Sequence, residues 1–187
     1  MSQRFTLTQT PLAGLSVATR HPRGDSRGFL ERLFCEDELA DVLNGRKIRQ
    51  INRTLTQMAG TVRGMHFQTP PNAEMKVVSC LRGEVFDVAV DLRRSSPTFL
   101  QCHTERLSAT NHRSLVIPEG FAHGFQTLTA DCELLYFHTA IHCADSEGAL
   151  HPCDKRLMIE WPLSIGEMSA RDRSHPMLTN DFAGVAA

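Results

Sequence analysis

The sequence lacks an excess of charge of either sign. Its 187 residues contain 20 Lys and Arg against 21 Asp and Glu, which gives a formal net charge of −1. Such a balance leaves no broad basic surface for nucleic acid or for an anionic membrane, so neither is an expected partner. An anionic small ligand would need a locally basic site instead.

Long apolar runs are also missing. The longest stretches, such as Val85 to Val90, have the length of a strand and are interrupted by charge, which excludes a transmembrane span. The first residues, Met-Ser-Gln-Arg-Phe-Thr, form no apolar segment of the signal-peptide type. We therefore expect a cytoplasmic protein.

Paired cysteine motifs are absent as well. The six cysteines are scattered and form no Cys-x-x-Cys pair. We expect reduced, small apolar side chains rather than disulfides or a zinc site.

What is present suits one globular domain. The chain is 41% hydrophobic and 22% charged, with no internal repeat or linker. We predict a single domain over residues 1–187, with a core at about 25–163 and a C-terminal extension at 164–187.

Apolar residues alternate with a period of two through the centre of the chain. Between residues 85 and 92, Phe86, Val88, Val90 and Leu92 fall on one face. A strand at 76–81 precedes this one, and Arg82-Gly83-Glu84 predicts a hairpin turn between them. Further strands are predicted at 98–107, 114–118, 124–129 and 133–139, and one helix at 36–43. The pattern favours an all-β fold, an antiparallel β-sandwich closed into a jelly-roll barrel, with short peripheral helices.

Two segments each place one histidine between a Gly/Pro turn signal and an apolar run. His66 lies in Gly60–Pro71 and His123 in Ile117–Phe125, 57 positions apart. If the fold joins them, a polar pocket lies inside an apolar β-structure, and such pockets usually serve chemistry or binding.

His66 is the first candidate for chemistry. It could be a structural histidine bonded to a turn, or a general base near neutral pH. A base works better when a carboxylate fixes its tautomer. The sequence leaves four carboxylates open for that role: Asp87, Asp91, Glu133 and Asp172.

Two further side chains have a structural and a functional interpretation. Lys76 could extend its ammonium from a strand edge to solvent, or stabilise an oxyanion inside the pocket. Tyr136, the only tyrosine, could be a packing residue or a pocket hydroxyl, and it shares a strand face with Leu134 and His138. A metal site is not expected, because Gln68 stands where a three-histidine pattern would need a second histidine.

Together these segments resemble dTDP-4-dehydrorhamnose 3,5-epimerases and related nucleotide-sugar epimerases of the cupin superfamily. The resemblance runs in constant order from about residue 25 to 172. The matching stretches are Asp25–Glu31, Gln50–Asn52, Val62–Gln68, Lys76, Gly83–Arg93, Ser96–Phe99, Leu107–Ala109, Ile117–Phe125, Ser146–Gly148 and Ile159–Pro162.

The resemblance implies a homodimer that epimerises a dTDP-linked 4-keto-6-deoxyhexose at C3 and C5 without a metal or organic cofactor. It implies that His66 is the base, Asp172 its carboxylate partner and Lys76 the stabiliser of the enolate. It also implies substrate binding by Arg27, Phe29, Glu31, Gln50, Asn52, Arg63, His123 and Tyr136, the first three across the dimer.

One position departs from the family. Six residues after Tyr136, family members usually carry a tyrosine that is the proposed acid, and here His142 stands there. Imidazole and phenol differ in reference pKa by about three to four units. His142 could still act as the acid, restrict the reaction to C3, or leave a nucleotide-sugar binding protein without turnover. A metal-dependent cupin oxygenase is the remaining alternative.

Overall fold

The computed structural model describes residues 3–186, so the ends of the predicted domain, residues 1, 2 and 187, lie outside the described residues. Two α-helices and thirteen strands occur within 3–186. The helices are α1 (Ala40–Leu43) and α2 (Ala170–Arg173), and short 3-10 turns lie at Ala144–Ser146 and Lys155–Leu157. The strands are β1 (Phe5–Gln9), β2 (Ser16–Arg20), β3 (Arg23–Asp25), β4 (Gly28–Leu30), β5 (Gln50–Thr56), β6 (Val62–Gln68), β7 (Lys76–Arg82), β8 (Glu84–Asp91), β9 (Cys102–Ser108), β10 (Arg113–Ile117), β11 (Phe121–Thr127), β12 (Cys132–His138) and β13 (Glu147–Ala149).

Two antiparallel sheets form the predicted jelly-roll sandwich. One has the order β1-β2-β10-β7-β12-β5 and the other the order β13-β6-β11-β8-β9, while β3 and β4 form a separate hairpin. The described part of the chain contains no helix with the length and apolar character needed to cross a membrane.

The core lies in three layers that follow the predicted alternation. Val85 and Ala89 of β8 face inward, between the two sheets. Val88, Val90 and Leu92 face outward, where the C-terminal segment covers them. On the other side of the sandwich, α1 and its flanking loops cover the outer face of the six-stranded sheet. The central strands are therefore covered on both faces, which explains why every residue of β11 and most residues of β8 are buried.

The predicted hairpin at residues 82–84 is wrong. β7 pairs with β10 and β12, whereas β8 pairs with β9 and β11, so Gly83 is a corner between the two sheets. Gly83 has φ +76°, and a Cβ there would lie 2.6 Å from Oγ1 of Thr129. The chain does turn at Gly83, as the sequence predicts, but local sequence does not specify the sheet that a strand joins.

Two other predicted elements are shorter than expected. The helix covers only residues 40–43 and ends, as predicted, at Asn44-Gly45, with Asn44 left-handed at φ 48°. The strand predicted from residue 98 begins at Cys102. Before it, the Thr98 hydroxyl donates to Asp91 at 2.7 Å and Leu100 has φ 60°, so this stretch is a turn.

Candidate active site

A cavity of about 660 Å³ opens between the two sheets. Side chains of β6 and β11 line one wall, and side chains of β5, β7 and β12 line the other. The C-terminal segment around α2 closes one side. The polar and charged lining residues that bear on the chemistry are Asn52, Arg63, His66, Glu74, Lys76, His123, Tyr136, His138, Glu167, Arg171 and Asp172.

His66 and Asp172 meet at this cavity although they lie 106 positions apart. His66 Nε2 lies 2.8 Å from Asp172 Oδ1, the hydrogen bond that the resemblance led us to expect. Burial opposes ionisation of Asp172, but the His66 hydrogen bond and charge, helped by Ser169 and the Gly64 amide, lower its pKa to about 2. The carboxylate is therefore ionised at neutral pH and can stabilise an imidazolium.

Helix α2 fixes the position of the carboxylate. The Ser169 hydroxyl caps the helix by accepting a hydrogen bond from the Asp172 amide at 2.9 Å. The Asp172 side chain is only 6% exposed, whereas that of His66 is 35% exposed and reaches the open cavity. The carboxylate is therefore enclosed, and the imidazole is the member of the pair that a ligand in the cavity can reach.

A second imidazole shares the same carboxylate oxygen. His175 Nε2 lies 3.1 Å from Asp172 Oδ1, and its ring packs edge-on against His66 with centroids 5.4 Å apart. Burial lowers the pKa of His175, and the charge of His66 lowers it further. We expect His175 to be neutral at pH 7.

Lys76 projects from the opposite wall and belongs to a charged network. Its Nζ lies 2.8 Å from Glu74 Oε1, and His138 Nδ1 lies 2.7 Å from Glu74 Oε2. Burial alone would raise the pKa of Glu74, but the contacts with His138 and Lys76 outweigh it and lower the pKa to about 2. On the far side of the His138 ring, Nε2 lies 3.3 Å from Asn52 Nδ2. The Lys76 ammonium is thus held in place without being exposed to solvent.

A second histidine–carboxylate pair lies deeper in the cavity. His123 Nε2 lies 2.9 and 3.0 Å from the two oxygens of Asp87, which is fully buried. Tyr136 packs edge-on against His123 at 6.1 Å and stacks on His138 at 5.9 Å. Burial, reinforced by the Asp87 charge, raises the pKa of Tyr136, so its hydroxyl keeps its proton.

The structure assigns a partner to each of the four carboxylates that the sequence left open. Asp172 bonds His66, Asp87 bonds His123, Asp91 pairs with Arg93 at 2.7 Å, and Glu133 pairs with Arg53 at 2.6 Å.

Two glycines let the strands of the His66 wall approach each other. His66 and His123 are paired residues of β6 and β11, and the register shifts just beyond them. A Cβ on Gly64 would lie 2.6 Å from the Gly124 Cα, and a Cβ on Gly124 would lie 2.5 Å from the Met65 sulfur. Side chains at these positions would push apart the strands that carry the two histidines.

Five predicted site residues lie outside the cavity of the single chain. His142 does not face His66 across the cavity: its side chain is 58% exposed, and Nε2 lies 3.4 Å from Glu147 Oε2. It follows β12 on a loop, where strand alternation no longer sets its direction. The Gln50 side chain donates to Asn52 at 3.1 Å and accepts from the His142 amide at 3.1 Å.

The remaining three lie in the segment containing β3 and β4. Arg27 pairs with Asp25 at 2.6 Å, Glu31 accepts from Arg20 at 2.8 Å, and Phe29 is 68% exposed.

Six residues of the site were not assigned to it by sequence reasoning. Glu74 and His138 hold Lys76, Asp87 holds His123, and His175 joins the Asp172 pair. Glu167 and Arg171 line the cavity. For some of them the sequence contained a pattern that could have indicated a place in the site. Glu74 and Lys76 are two positions apart, and His138 shares a strand face with Tyr136. The contact of His175 with His66 depends on where the C-terminal segment crosses β6, which no local pattern reveals.

Comparison with known proteins agrees with this geometry. Residues 9–180 match the family model described as dTDP-4-dehydrorhamnose 3,5-epimerase. A dTDP-4-dehydrorhamnose 3,5-epimerase from Salmonella typhimurium is 45% identical over 157 residues, 83% of this chain and 85% of that protein. A dTDP-4-dehydrorhamnose 3-epimerase from Streptomyces niveus is 34% identical over 168 residues, 89% of this chain and 81% of that protein.

A solved structure gives the same result for the fold. The crystal structure of dTDP-6-deoxy-D-glucose-3,5-epimerase from Legionella pneumophila, in complex with dTDP-4-keto-L-rhamnose, superposes with a TM-score of 0.90. It is 34% identical, and the match covers 98% of each chain. The chain belongs to the dTDP-4-dehydrorhamnose 3,5-epimerase family.

Proposed function

We propose that this protein epimerises a dTDP-linked 4-keto-6-deoxyhexose at C3 and C5, with His66 as the base. The observation that carries the proposal is the arrangement of one cavity. A histidine backed by an ionised carboxylate lies on one wall, and a buried ammonium lies on the facing wall.

The chemistry follows from these two groups. His66 removes a proton from a carbon next to the C4 carbonyl and becomes imidazolium, stabilised by Asp172. The electron pair of the broken C–H bond moves onto the carbonyl oxygen, which becomes an enolate beside the Lys76 ammonium. Return of a proton to the opposite face of that carbon restores the ketone and inverts the centre. Atoms and charge balance without any external oxidant or reductant.

The proton for the opposite face needs a donor on the opposite wall. Tyr136 meets this requirement, because it lies on β12, lines the cavity and keeps its proton. His142 does not, because its ring lies outside the cavity. We assign the reprotonating role to Tyr136, which the sequence had suggested only as a substrate contact.

Two guanidinium groups support recognition of the diphosphate. Arg63 and Arg171 both line the cavity, and both side chains are exposed to solvent. Arginine binds phosphate oxygens through paired N–H donors, which lets a chain with a net charge of −1 bind a dianionic ligand. The relative from Legionella pneumophila is bound to a dTDP-keto sugar, which supports the same ligand class here.

The test is solvent exchange with dTDP-4-keto-6-deoxyglucose in deuterated water, followed by NMR at C3 and C5. The wild type should exchange and invert, and His66→Ala should lose exchange while still binding dTDP. His21→Ala serves as the control, because His21 is exposed and does not line the cavity. Undiminished exchange in His66→Ala would exclude His66 as the base. Tight dTDP binding by the wild type with no exchange at any pH would instead show a binding protein.

A second candidate function is epimerisation at C3 alone. The observation that favours it is the position of His142, which stands where family members usually carry a tyrosine and lies outside the cavity. The relative from Streptomyces niveus is named a 3-epimerase, so the family includes that activity. Deuterium at C3 without deuterium at C5 would establish this version, and deuterium at both centres of an inverted product would eliminate it.

We further propose that the protein is a homodimer. Phe29 and Leu30 on the β3–β4 hairpin are 68% and 64% exposed, and Ile51 and Leu55 on the edge strand β5 are 57% and 49% exposed. Apolar side chains exposed on an edge strand and a projecting hairpin are typical of an association surface. Light scattering should give twice the chain mass, and Ile51→Lys should shift it toward one chain mass. A single-chain mass for the wild type would refute the dimer.

A cytoplasmic location is the last part of the proposal. All six cysteines are free thiols, which suits a reducing compartment. Cell fractionation that placed the native protein in an oxidising compartment would contradict it.

A further inference from the structure

The His66, Asp172 and His175 side chains present three potential metal ligands at one point. Their ligand atoms lie within 4.8 Å of one another, and no other such group of three occurs among residues 3–186. Both imidazoles direct Nε2 at the same carboxylate oxygen, at 2.8 and 3.1 Å. We propose that these three residues form a site for a divalent transition-metal ion, such as Zn²⁺, whose binding competes with the base function of His66.

The three ligand atoms are close enough to converge on one ion after the side chains adjust. Zinc–nitrogen and zinc–oxygen bonds of about 2.0–2.2 Å place tetrahedral ligand atoms about 3.3–3.5 Å apart. The observed N···O separations are 2.8 and 3.1 Å, and all three ligand atoms lie within 4.8 Å of one another, so both imidazoles would shift relative to the carboxylate to reach this spacing. Two imidazoles and one carboxylate suit zinc, iron, cobalt and nickel.

The three side chains can coordinate an ion without large changes in their protonation. Packing holds two of them in place, since the side chains of Asp172 and His175 are only 6% and 10% exposed. Each imidazole can place its proton on Nδ1 and offer Nε2 to the metal, so no proton need leave the protein when both rings are neutral. The local charge of the three groups then changes from −1 to +1.

A fourth coordination position faces the cavity. The His66 side chain is 35% exposed, whereas those of Asp172 and His175 are 6% and 10% exposed, so an ion would enter from the His66 side. The neighbouring charges are mixed. Arg63 and Glu167 line the same cavity, and the Arg171 guanidinium is engaged by Glu147. Water or a substrate oxygen could complete a tetrahedral site.

Metal binding by these residues does not depend on the proposed function. The expected inhibition does, because it rests on His66 being the base. Coordination would occupy the His66 nitrogen that donates to Asp172 and remove the hydrogen bond that stabilises the imidazolium. Proton abstraction should then stop, although dTDP should still bind through the arginines.

The first experiment is a titration of chelator-treated protein with Co²⁺, whose visible absorption reports coordination. The wild type should bind one equivalent with an intense tetrahedral-type spectrum and no thiolate band in the near ultraviolet. His175→Ala should weaken binding at least tenfold, and His21→Ala should leave it unchanged. His175→Cys should gain a thiolate-to-cobalt band, which arises only if residue 175 is a ligand.

The second experiment measures solvent exchange with and without Zn²⁺. Zinc should inhibit the wild type, EDTA should restore the rate, and His175→Ala should lose most of its zinc sensitivity relative to its own metal-free rate. Equal Co²⁺ spectra for wild type and His175→Ala, or a His175→Cys variant without the thiolate band, would overturn the site. If cobalt binds as expected but metal-free wild type shows no exchange, the metal site stands and the proposed function fails.

Discussion

Replacing Asp172 by Asn tests the pairing on which the proposed mechanism depends. The carboxylate pKa is about 2, against an ordinary value of 3.8, although the group is buried. A difference of about two pKa units corresponds to about 2–3 kcal/mol of interaction that favours the charged carboxylate. If this stabilisation is lost in the step that forms the imidazolium, the exchange rate should fall roughly 30- to 100-fold. The 6% exposure of the side chain leaves little screening by solvent.

The loss of exchange rate should exceed the effect of removing the charge alone, because the carboxylate is surrounded by hydrogen-bond donors. His66, His175, the Ser169 hydroxyl and the Gly64 amide all bond to it. An asparagine must turn its NH₂ group toward one of these donors, which leaves a buried group unpaired or reverses the His66 tautomer. We therefore expect about a 1000-fold loss of exchange, within the roughly 10²–10⁴-fold range of general-base catalysis.

The assay is the rate of deuterium incorporation into dTDP-4-keto-6-deoxyglucose, with dTDP affinity and thermal stability measured in parallel. Asp37→Asn is the matched control, because Asp37 is exposed and does not line the cavity. A folded Asp172→Asn protein that exchanges within about threefold of wild type would refute the role assigned to the pair.

Three further predictions concern the other wall and the loop. Lys76→Met should lower the exchange rate at least about 100-fold while leaving dTDP affinity within a few-fold of wild type. The reason is that the ammonium is expected to stabilise charge that develops only in the transition state. A large loss of dTDP binding without a loss of exchange rate would contradict this. His142→Ala should change the C3 exchange rate less than about threefold, since its ring lies outside the cavity, whereas a loss of two orders of magnitude would place it in the mechanism. Glu74, whose pKa is lowered from 4.5 to about 2, stabilises the folded state above about pH 4.5 and loses that contribution as the pH falls toward 2. Glu74→Gln should therefore be less stable than wild type at pH 7 in urea unfolding and should lose less stability between pH 4.5 and 2; parallel curves for the two proteins would contradict this assignment.

Sequence alone determined the features that depend on local periodicity and on motifs. The alternation in β8 correctly separated the residues that face the inner core from those under the C-terminal segment. The motifs around His66 and His123 identified the family, which the comparisons confirmed. The pairing of His66 with Asp172 was expected from the family resemblance; the residues themselves left four carboxylates open.

Tertiary structure decided what depends on contacts between distant segments. A glycine turn such as Gly83 is compatible both with a hairpin and with a corner between two sheets. Only the strand pairing shows that β7 and β8 belong to different sheets. His142 follows the last regular residue of β12, so alternation could not predict that it leaves the cavity. His175 reaches His66 because the C-terminal segment packs across β6, a contact between residues 109 positions apart in the sequence. Periodicity fixes which face of its own strand a side chain occupies, whereas the neighbours it meets there are set by the packing of the whole chain.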